Sequence, residues 1–260
     1  MNLLDSRKNV FSQCGEDGVL EKIFAVLQIE HGTCVEFGAW DGRHLSNTCN
    51  LLENRGWSGV LIEGSTRKFP DLQKNFGHRP DITLLNRLVN FTGPDCLDAI
   101  LASTSLPVDF DLLSIDVDGN DYHIMESLET YRPKVIVIEF NPTIPPHVEF
   151  VQARDLSVNH GNSLLSLTRL AERKGYALIC CTDWNAFFVD RVHFPLFGIE
   201  DNSPAQLWQL KDYLTSLFVL YDGTIKLSGN TSLLWHPEKI DEEKIQVLPR
   251  HKRVFSALAG

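Results

Sequence analysis

The chain has 260 residues, of which 43% are hydrophobic and 22% charged, with a formal charge of −10. That balance excludes a disordered or fibrous chain and argues against a nucleic-acid partner, which asks for a basic face. Val135–Phe140, the densest apolar run, contains Glu139 and is far short of the roughly 20 residues of a membrane span, so no membrane partner is expected.

Met1–Val10 carries Asp5, Arg7 and Lys8 with no apolar stretch behind them, so no signal peptide is read there. Glu16–Gln28 reads as a helix, because Val19, Leu20, Ile23, Phe24, Val26 and Leu27 form one apolar stripe. Short apolar runs then alternate with helical patterns: Thr33–Phe37, Gly59–Glu63, Ile82–Leu85, Leu112–Ile115 and Val135–Phe140. Runs apolar at nearly every position suit strands buried on both faces, hence a parallel sheet between helix layers. Asp121–Tyr131 and Ser163–Lys174 read as helices, the second ended by Gly175. Tyr176–Cys181 and Ala186–Val189 read as strands joined by four residues, too few for a crossover, so they form an antiparallel hairpin. Beyond Arg191 the pattern changes. Pro204–Leu217 reads as a helix, Phe218–Leu227 as a hairpin turning at Asp222-Gly223, and Asn230–Gly260 as mixed. Arg250-His-Lys-Arg253 reads as a solvated tail. The six cysteines contain no C-x-x-C pair, which argues against a zinc ribbon and fits a reducing cytoplasm.

The polar residues gather where strands end. The first strand runs into Glu36-Phe-Gly38-Ala-Trp-Asp-Gly42. Gly38 permits a tight turn and close backbone approach, but Trp40 stands where the dinucleotide fingerprint needs glycine. An acid just before the turn suits a cationic ligand better than a pyrophosphate. Glu63 ends the second strand, placed to accept hydrogen bonds from two ribose hydroxyls. Asp116-Val-Asp118-Gly-Asn-Asp121 follows the fourth strand; a calcium loop is excluded because Ser127 occupies its twelfth position. Asp118 is open to a role as base, metal ligand or helix cap, and Asp121 to starting a helix. Glu139-Phe-Asn141-Pro142 ends the fifth strand, at the same edge.

Together these motifs resemble the FkbM-type S-adenosylmethionine-dependent methyltransferases. The resemblance rests on Ser12-Gln-Cys-Gly-Glu-Asp-Gly18, Val35–Gly42, Leu45-Ser-Asn47, Leu61-Ile-Glu-Gly64, Ser114–Gly119, Glu139–Pro142 and Gly161-Asn-Ser-Leu-Leu165. It implies a Rossmann-like class I methyltransferase sheet, to which the pattern read above adds a closing antiparallel hairpin on a mostly parallel sheet, an N-terminal helix and, outside the family's common core, a C-terminal α+β extension. It spans most of 10–195, so residues 1–195 are expected to form the cofactor-binding domain and 196–260 an extension serving as acceptor pocket, lid or oligomer contact. By that likeness Glu36, Gly38, Ala39, Trp40 and Gly42 would line the methionine end of the cofactor, Glu63 would hold the ribose, and the segment at Arg87 would pass the adenine. Asp116 would lie beside the cofactor, and Gln13, Glu16 and Asp17 would lie over the site. Where the family usually has Asp-x-Glu-Gly, this chain has the shorter acid Asp118.

The reaction implied is O-methylation of a hydroxyl on a sugar or other small natural product. Such a hydroxyl needs a base or a metal at neutral pH. Asp118, Glu139 and His147 are the candidate bases; Asp116, Asp118, Glu139 and Asn141 are the alternative Mg²⁺ ligands. Two rival readings stay open: a non-catalytic binding protein on the same fold, and a nicotinamide oxidoreductase. The expected partner is a small-molecule or glycan acceptor, and the apolar residues of Phe194–Gly260 are expected either to pack over the sheet edge or to join a homodimer.

Overall fold

The computed structural model describes residues 2–255, and the chain divides into two compact units, Met1–Gln209 and Leu210–Gly260. The first unit is built on β1 (Thr33–Phe37), β2 (Ser58–Ile62), β3 (Ile82–Leu85), β4 (Leu112–Ile115), β5 (Val135–Glu139), β6 (Tyr176–Cys181) and β7 (Asn185–Asp190). These form one seven-stranded sheet in the order β3-β2-β1-β4-β5-β7-β6. Every pairing from β3 to β5 is parallel, whereas β7 runs antiparallel to both β5 and β6. The loop between β6 and β7 is too short to carry the chain across the sheet, so β7 turns back and inserts beside β5. This is the Rossmann-like arrangement with a closing antiparallel hairpin. All residues of β4, β6 and β7 are buried, as strands covered on both faces must be.

The covering helices are α1 (Glu16–Leu27), α2 (Cys49–Asn54), α3 (Phe69–Phe76), α4 (Leu97–Leu101), α5 (Asp121–Ser127), α6 (Leu164–Arg173) and α7 (Pro204–Leu207). Ser163 caps α6 by accepting from the Ser166 N–H, and Gly175 follows in the left-handed region at φ 84°. Two helices are shorter than the sequence pattern suggests. The helix expected over 121–131 stops at Ser127 because the Asp98 carboxylate accepts the N–H groups of Glu129, Thr130 and Tyr131, replacing the bonds a further turn would make. The helix expected over 204–217 stops at Leu207. Trp208 leaves the helix to bury its ring edge-on to Phe140, with centroids 5.6 Å apart.

The division after Gln209 falls beyond the expected boundary at 195/196. Phe197 and Trp208 belong to the first unit and are buried there. The second unit contains the hairpin β8 (Thr215–Val219) and β9 (Ile225–Gly229), which turns at Gly223 with φ 82°. β8 therefore begins inside the stretch read as helix, because pairing with β9 overrides the local pattern. Glu242 and Gln246 brace β9 through the N–H groups of Leu227 and Ile225. The apolar set expected to be covered is mostly open in this unit: Leu217, Phe218, Leu220 and Trp235 are exposed. Among the described residues no helix is long and apolar enough to cross a membrane.

Candidate active site

The turn after β1 is shaped by close approach. Gly38 has φ 74°, and a Cβ there would lie 2.0 Å from the Asp116 carbonyl oxygen. Only glycine satisfies both conditions, and its presence brings the end of β1 against the end of β4. Gly42 also has positive φ, and a Cβ there would strike the Phe76 ring at 2.6 Å. Between them Ala39 is buried, its N–H donating to the Ile62 carbonyl at 3.1 Å. Trp40 is a left-handed, exposed aromatic at φ 49°, backed by the Lys68 ammonium 4.0 Å from the ring.

Glu63, just past β2, meets this turn. Its carboxylate accepts the Trp40 N–H at 2.7 Å and the Ser65 N–H at 2.6 Å. Arg87 lies beyond β3, exposed and paired with Asp95 at 2.8 Å. Glu36 is placed differently from its neighbours in the motif. Its buried carboxylate accepts from Ser46 Oγ at 2.6 Å, Thr48 Oγ1 at 2.8 Å and the Asn47 N–H at 2.9 Å. Burial still pushes this carboxyl up, against the lowering effect of those bonds. Glu36 thus fixes the chain that leads into α2, and Asn47 continues inward to Ser114 Oγ. Ser46, Asn47 and Thr48 act as a clamp that strand periodicity does not reveal, although Leu45-Ser-Asn47 is a visible signal.

The N-terminal segment is held at the same edge. Glu16 accepts from Thr182 Oγ1 at 2.6 Å and Asn185 Nδ2 at 3.3 Å, and Asn185 is the register partner of Glu139. Gln13 is exposed on this segment, its carbonyl accepting from Asn9. Asp17 gathers the Val10, Phe11 and Ser12 N–H groups and the Ser12 hydroxyl on one oxygen.

Asp116, Asp118 and Glu139 converge, with one carboxylate oxygen from each lying within 4.8 Å of the others. Burial pushes Asp116 and Glu139 up, and the charges of neighbouring carboxylates add to it. Two carboxyl groups so placed resist being ionised together. Asp118 is exposed, with φ 56°. Asp121 folds back to accept the Val117 and Gly119 N–H groups, and burial pushes it up to about 6. Among the described residues no lysine or arginine is ion-paired with Glu36, Glu63, Asp116, Asp118, Asp121 or Glu139. A cation bound at this edge would favour the ionised form of these acids.

Asn141 stands apart from the three acids in its bonding. Its carbonyl oxygen accepts from the N–H and hydroxyl of Thr143, and its amide donates to the His160 carbonyl. His147 is exposed on the loop after β5. That loop, 141–163, supplies polar residues to which the sequence analysis gave no role. Asn159 donates to the Asp118 carbonyl, and Asn162 to the Gly119 carbonyl. Gln152 accepts from the His160 and Gly161 N–H groups. The Asp118 loop is thus walled by the connection between β5 and α6. A groove of about 880 Å³ lined by Lys8, Glu21, Lys22, Arg55 and Trp57 lies along α1 and α2, away from these acids.

Residues 95–176 match the sequence profile described as the Methyltransferase FkbM domain, in agreement with the resemblance drawn from the motifs. The matched stretch contains the Asp116, Asp118 and Glu139 cluster and the loop that walls it. No curated protein matches the chain by sequence. Among solved structures, M. capricolum TrmK in complex with S-adenosyl-homocysteine is 11% identical, with 65% of this chain and 67% of that one covered and a TM-score of 0.40. The CurJ carbon methyltransferase is 10% identical, with 67% and 52% covered and a TM-score of 0.43. The O-methyltransferase NcsB1 of neocarzinostatin biosynthesis, in complex with S-adenosyl-L-homocysteine and 1,4-dihydroxy-2-naphthoic acid, is 15% identical, with 61% and 49% covered and a TM-score of 0.39. The match spans about half the length of each of the last two.

Proposed function

We propose that this protein transfers the methyl group of S-adenosylmethionine to a hydroxyl of a small-molecule or glycan acceptor. The observation that carries the reading is the contact of Gly38 with the Asp116 carbonyl. It sets a glycine turn fit for a cofactor directly beside the Asp116–Glu139 pair. The residues fit the cofactor: Glu63 stands at the end of β2 next to the turn, and the unpaired acids complement a cation. When bound, the cofactor supplies a methyl group on a positive sulfonium.

The chain's own part is to position and to move a proton. Glu63 orients the ribose through charge-assisted hydrogen bonds. The backbone of 38–42 shapes the methionine end. The acceptor hydroxyl loses its proton to whichever carboxylate of the Asp116–Glu139 pair is ionised. Asp118, which is exposed, orients the acceptor. The loop 141–163 shields that side from water.

A second reading is favoured by the convergence of Asp116, Asp118 and Glu139 within 4.8 Å. These three would hold a divalent cation with hard oxygen ligands that polarises the acceptor hydroxyl. Asn141, engaged with Thr143 and His160, is not among them.

Calorimetric titration with S-adenosylmethionine, followed by turnover with a panel of hydroxylated acceptors, tests the function. Micromolar binding and methyl transfer lost in Glu139→Gln are expected. A folded protein that binds no cofactor at millimolar concentration sinks the reading, and one that binds it without turnover on any acceptor supports a binding protein instead. Full turnover after exhaustive chelation eliminates the metal reading.

A further inference from the structure

The hairpin of the second unit has one closed edge and one open edge. On β9, Ile225 and Leu227 turn their N–H groups outward to Gln246 Oε1 and Glu242 Oε1, both at 2.9 Å, and the Ile225 carbonyl accepts from Gln246 Nε2 at 2.8 Å. Side chains thus occupy that edge. β8 has no such cover. The Leu220 N–H donates to the Thr224 carbonyl at 2.8 Å and the Asn230 N–H to the Leu214 carbonyl at 2.9 Å, and the register between these two bonds is unbroken. Bonded pairs therefore fall at the even-numbered residues of this strand. The antiparallel alternation turns the N–H and C=O groups of Thr215, Leu217 and Val219 away from β9. Among the described residues no group bonds to them.

Charge, proline and bulges, which usually protect an edge, are all missing from β8. Tyr213–Tyr221 contains no charged residue, proline or glycine, and the pairing with β9 shows no bulge. Both faces are open as well. Leu217 and Val219 are 59% and 61% exposed on one face, and Phe218 and Leu220 are 45% and 43% exposed on the other. An apolar edge of this kind is a template for a further strand.

We propose that β8 pairs with β8 of a second copy of this chain, antiparallel about a two-fold axis through Leu217. The strand is its own complement. Because the free groups lie at odd-numbered residues only, the two-fold sets Leu217 opposite the partner's Leu217 and Thr215 opposite the partner's Val219, and each free donor meets a free acceptor. Ser216 falls opposite the partner's Phe218 at the closer, non-hydrogen-bonded spacing, so apolar side chains meet along the seam on both faces. Each copy carries a formal charge of −10, but none of it lies on the strands that touch. The occupied edge of β9 stops growth after one added hairpin, so the product is a closed, four-stranded dimer and not a fibre. The pairing is independent of the methyltransferase reading.

Sedimentation velocity on the full chain, with hydrogen exchange of residues 214–220, tests it. Wild type is expected to dimerise with a micromolar dissociation constant and to slow its exchange over 214–220 as concentration rises. Leu217→Lys and Leu217→Glu each set like charges face to face across the axis, and each is expected to weaken dimerisation about 100-fold or more. An equimolar mixture of the two should restore a dimer. Wild type that stays monomeric at millimolar concentration overturns the proposal whether or not the variants fold, and protection of 214–220 in that monomer would assign the edge to another part of the same chain. Growth beyond a dimer overturns it, as does a dimer whose 214–220 amides exchange as fast as in the monomer. So do variants that dimerise like wild type, or a mixture that stays monomeric while each variant melts cooperatively.

Discussion

Glu63 accepts the backbone N–H of Trp40 at 2.7 Å, so the acid that closes β2 also holds the turn that closes β1. Its other oxygen accepts from Ser65. One carboxylate therefore sets two loops. Glu63→Ala is expected to weaken S-adenosylmethionine binding by about 1–3 kcal/mol. Calorimetry on the variant, with circular dichroism to confirm the fold, measures it; unchanged affinity would remove Glu63 from the site.

Glu36 is expected to behave differently, although the sequence places it in the same kind of position. Its carboxylate is engaged by Ser46, Asn47 and Thr48. Glu36→Ala leaves two buried hydroxyls and an N–H without their acceptor and should cost about 2–4 kcal/mol of stability. Urea midpoints read the loss. A variant as stable as wild type but deficient in cofactor binding would return Glu36 to the ligand.

The Asp116–Glu139 pair predicts a pH dependence of opposite sign to that of a salt-bridged acid. Burial pushes both groups up, so the folded chain keeps a proton that the unfolded chain releases. The pair's contribution to stability is full below the ordinary carboxylate range. It falls as pH rises through that range toward about 8, the value to which Asp116 is raised. Glu139→Gln should flatten this decline and gain about 1–3 kcal/mol over wild type at alkaline pH, while abolishing methyl transfer. Denaturant melts at pH 5, 6.5 and 8 check it; parallel slopes in the two proteins would refute the retained proton.

Two truncations separate the units. Phe197 and Trp208 are 1% and 3% exposed within the first unit, and removing a buried aromatic costs about 3–5 kcal/mol. A chain ending at residue 195 should therefore lose its cooperative melt, whereas one ending at 209 should keep it. Thermal unfolding followed by near-ultraviolet circular dichroism distinguishes them, and equal stability of the two would place those rings outside the core.

The sheet was legible because burial on both faces writes itself as unbroken runs such as Val135–Ile138. The four-residue spacing after Cys181 was enough to reverse β7. The acids at the strand ends were legible for the same reason: a strand's end is visible where apolarity stops. Their partners were not. Whether Glu36 faces a ligand or a returning loop depends on where residues 46–48 come back, which no local pattern encodes. Asp98 likewise ends α5 from a distant loop, and β9 makes a strand of residues that alone look helical. Tertiary partners decided each of these.

The place of β7 between β5 and β6 has a consequence for the order in which the chain is made. β6 leaves the ribosome first but has no neighbour to pair with until β7 follows it. Until then β5 keeps an open, uncharged edge over Val135–Ile138, a template for any other nascent strand. Glu16 waits as well, since Thr182 and Asn185 lie 166 and 169 residues further along. The last strand made is thus the one that joins the edge strand β6 to the rest of the sheet and fixes Glu16 in place.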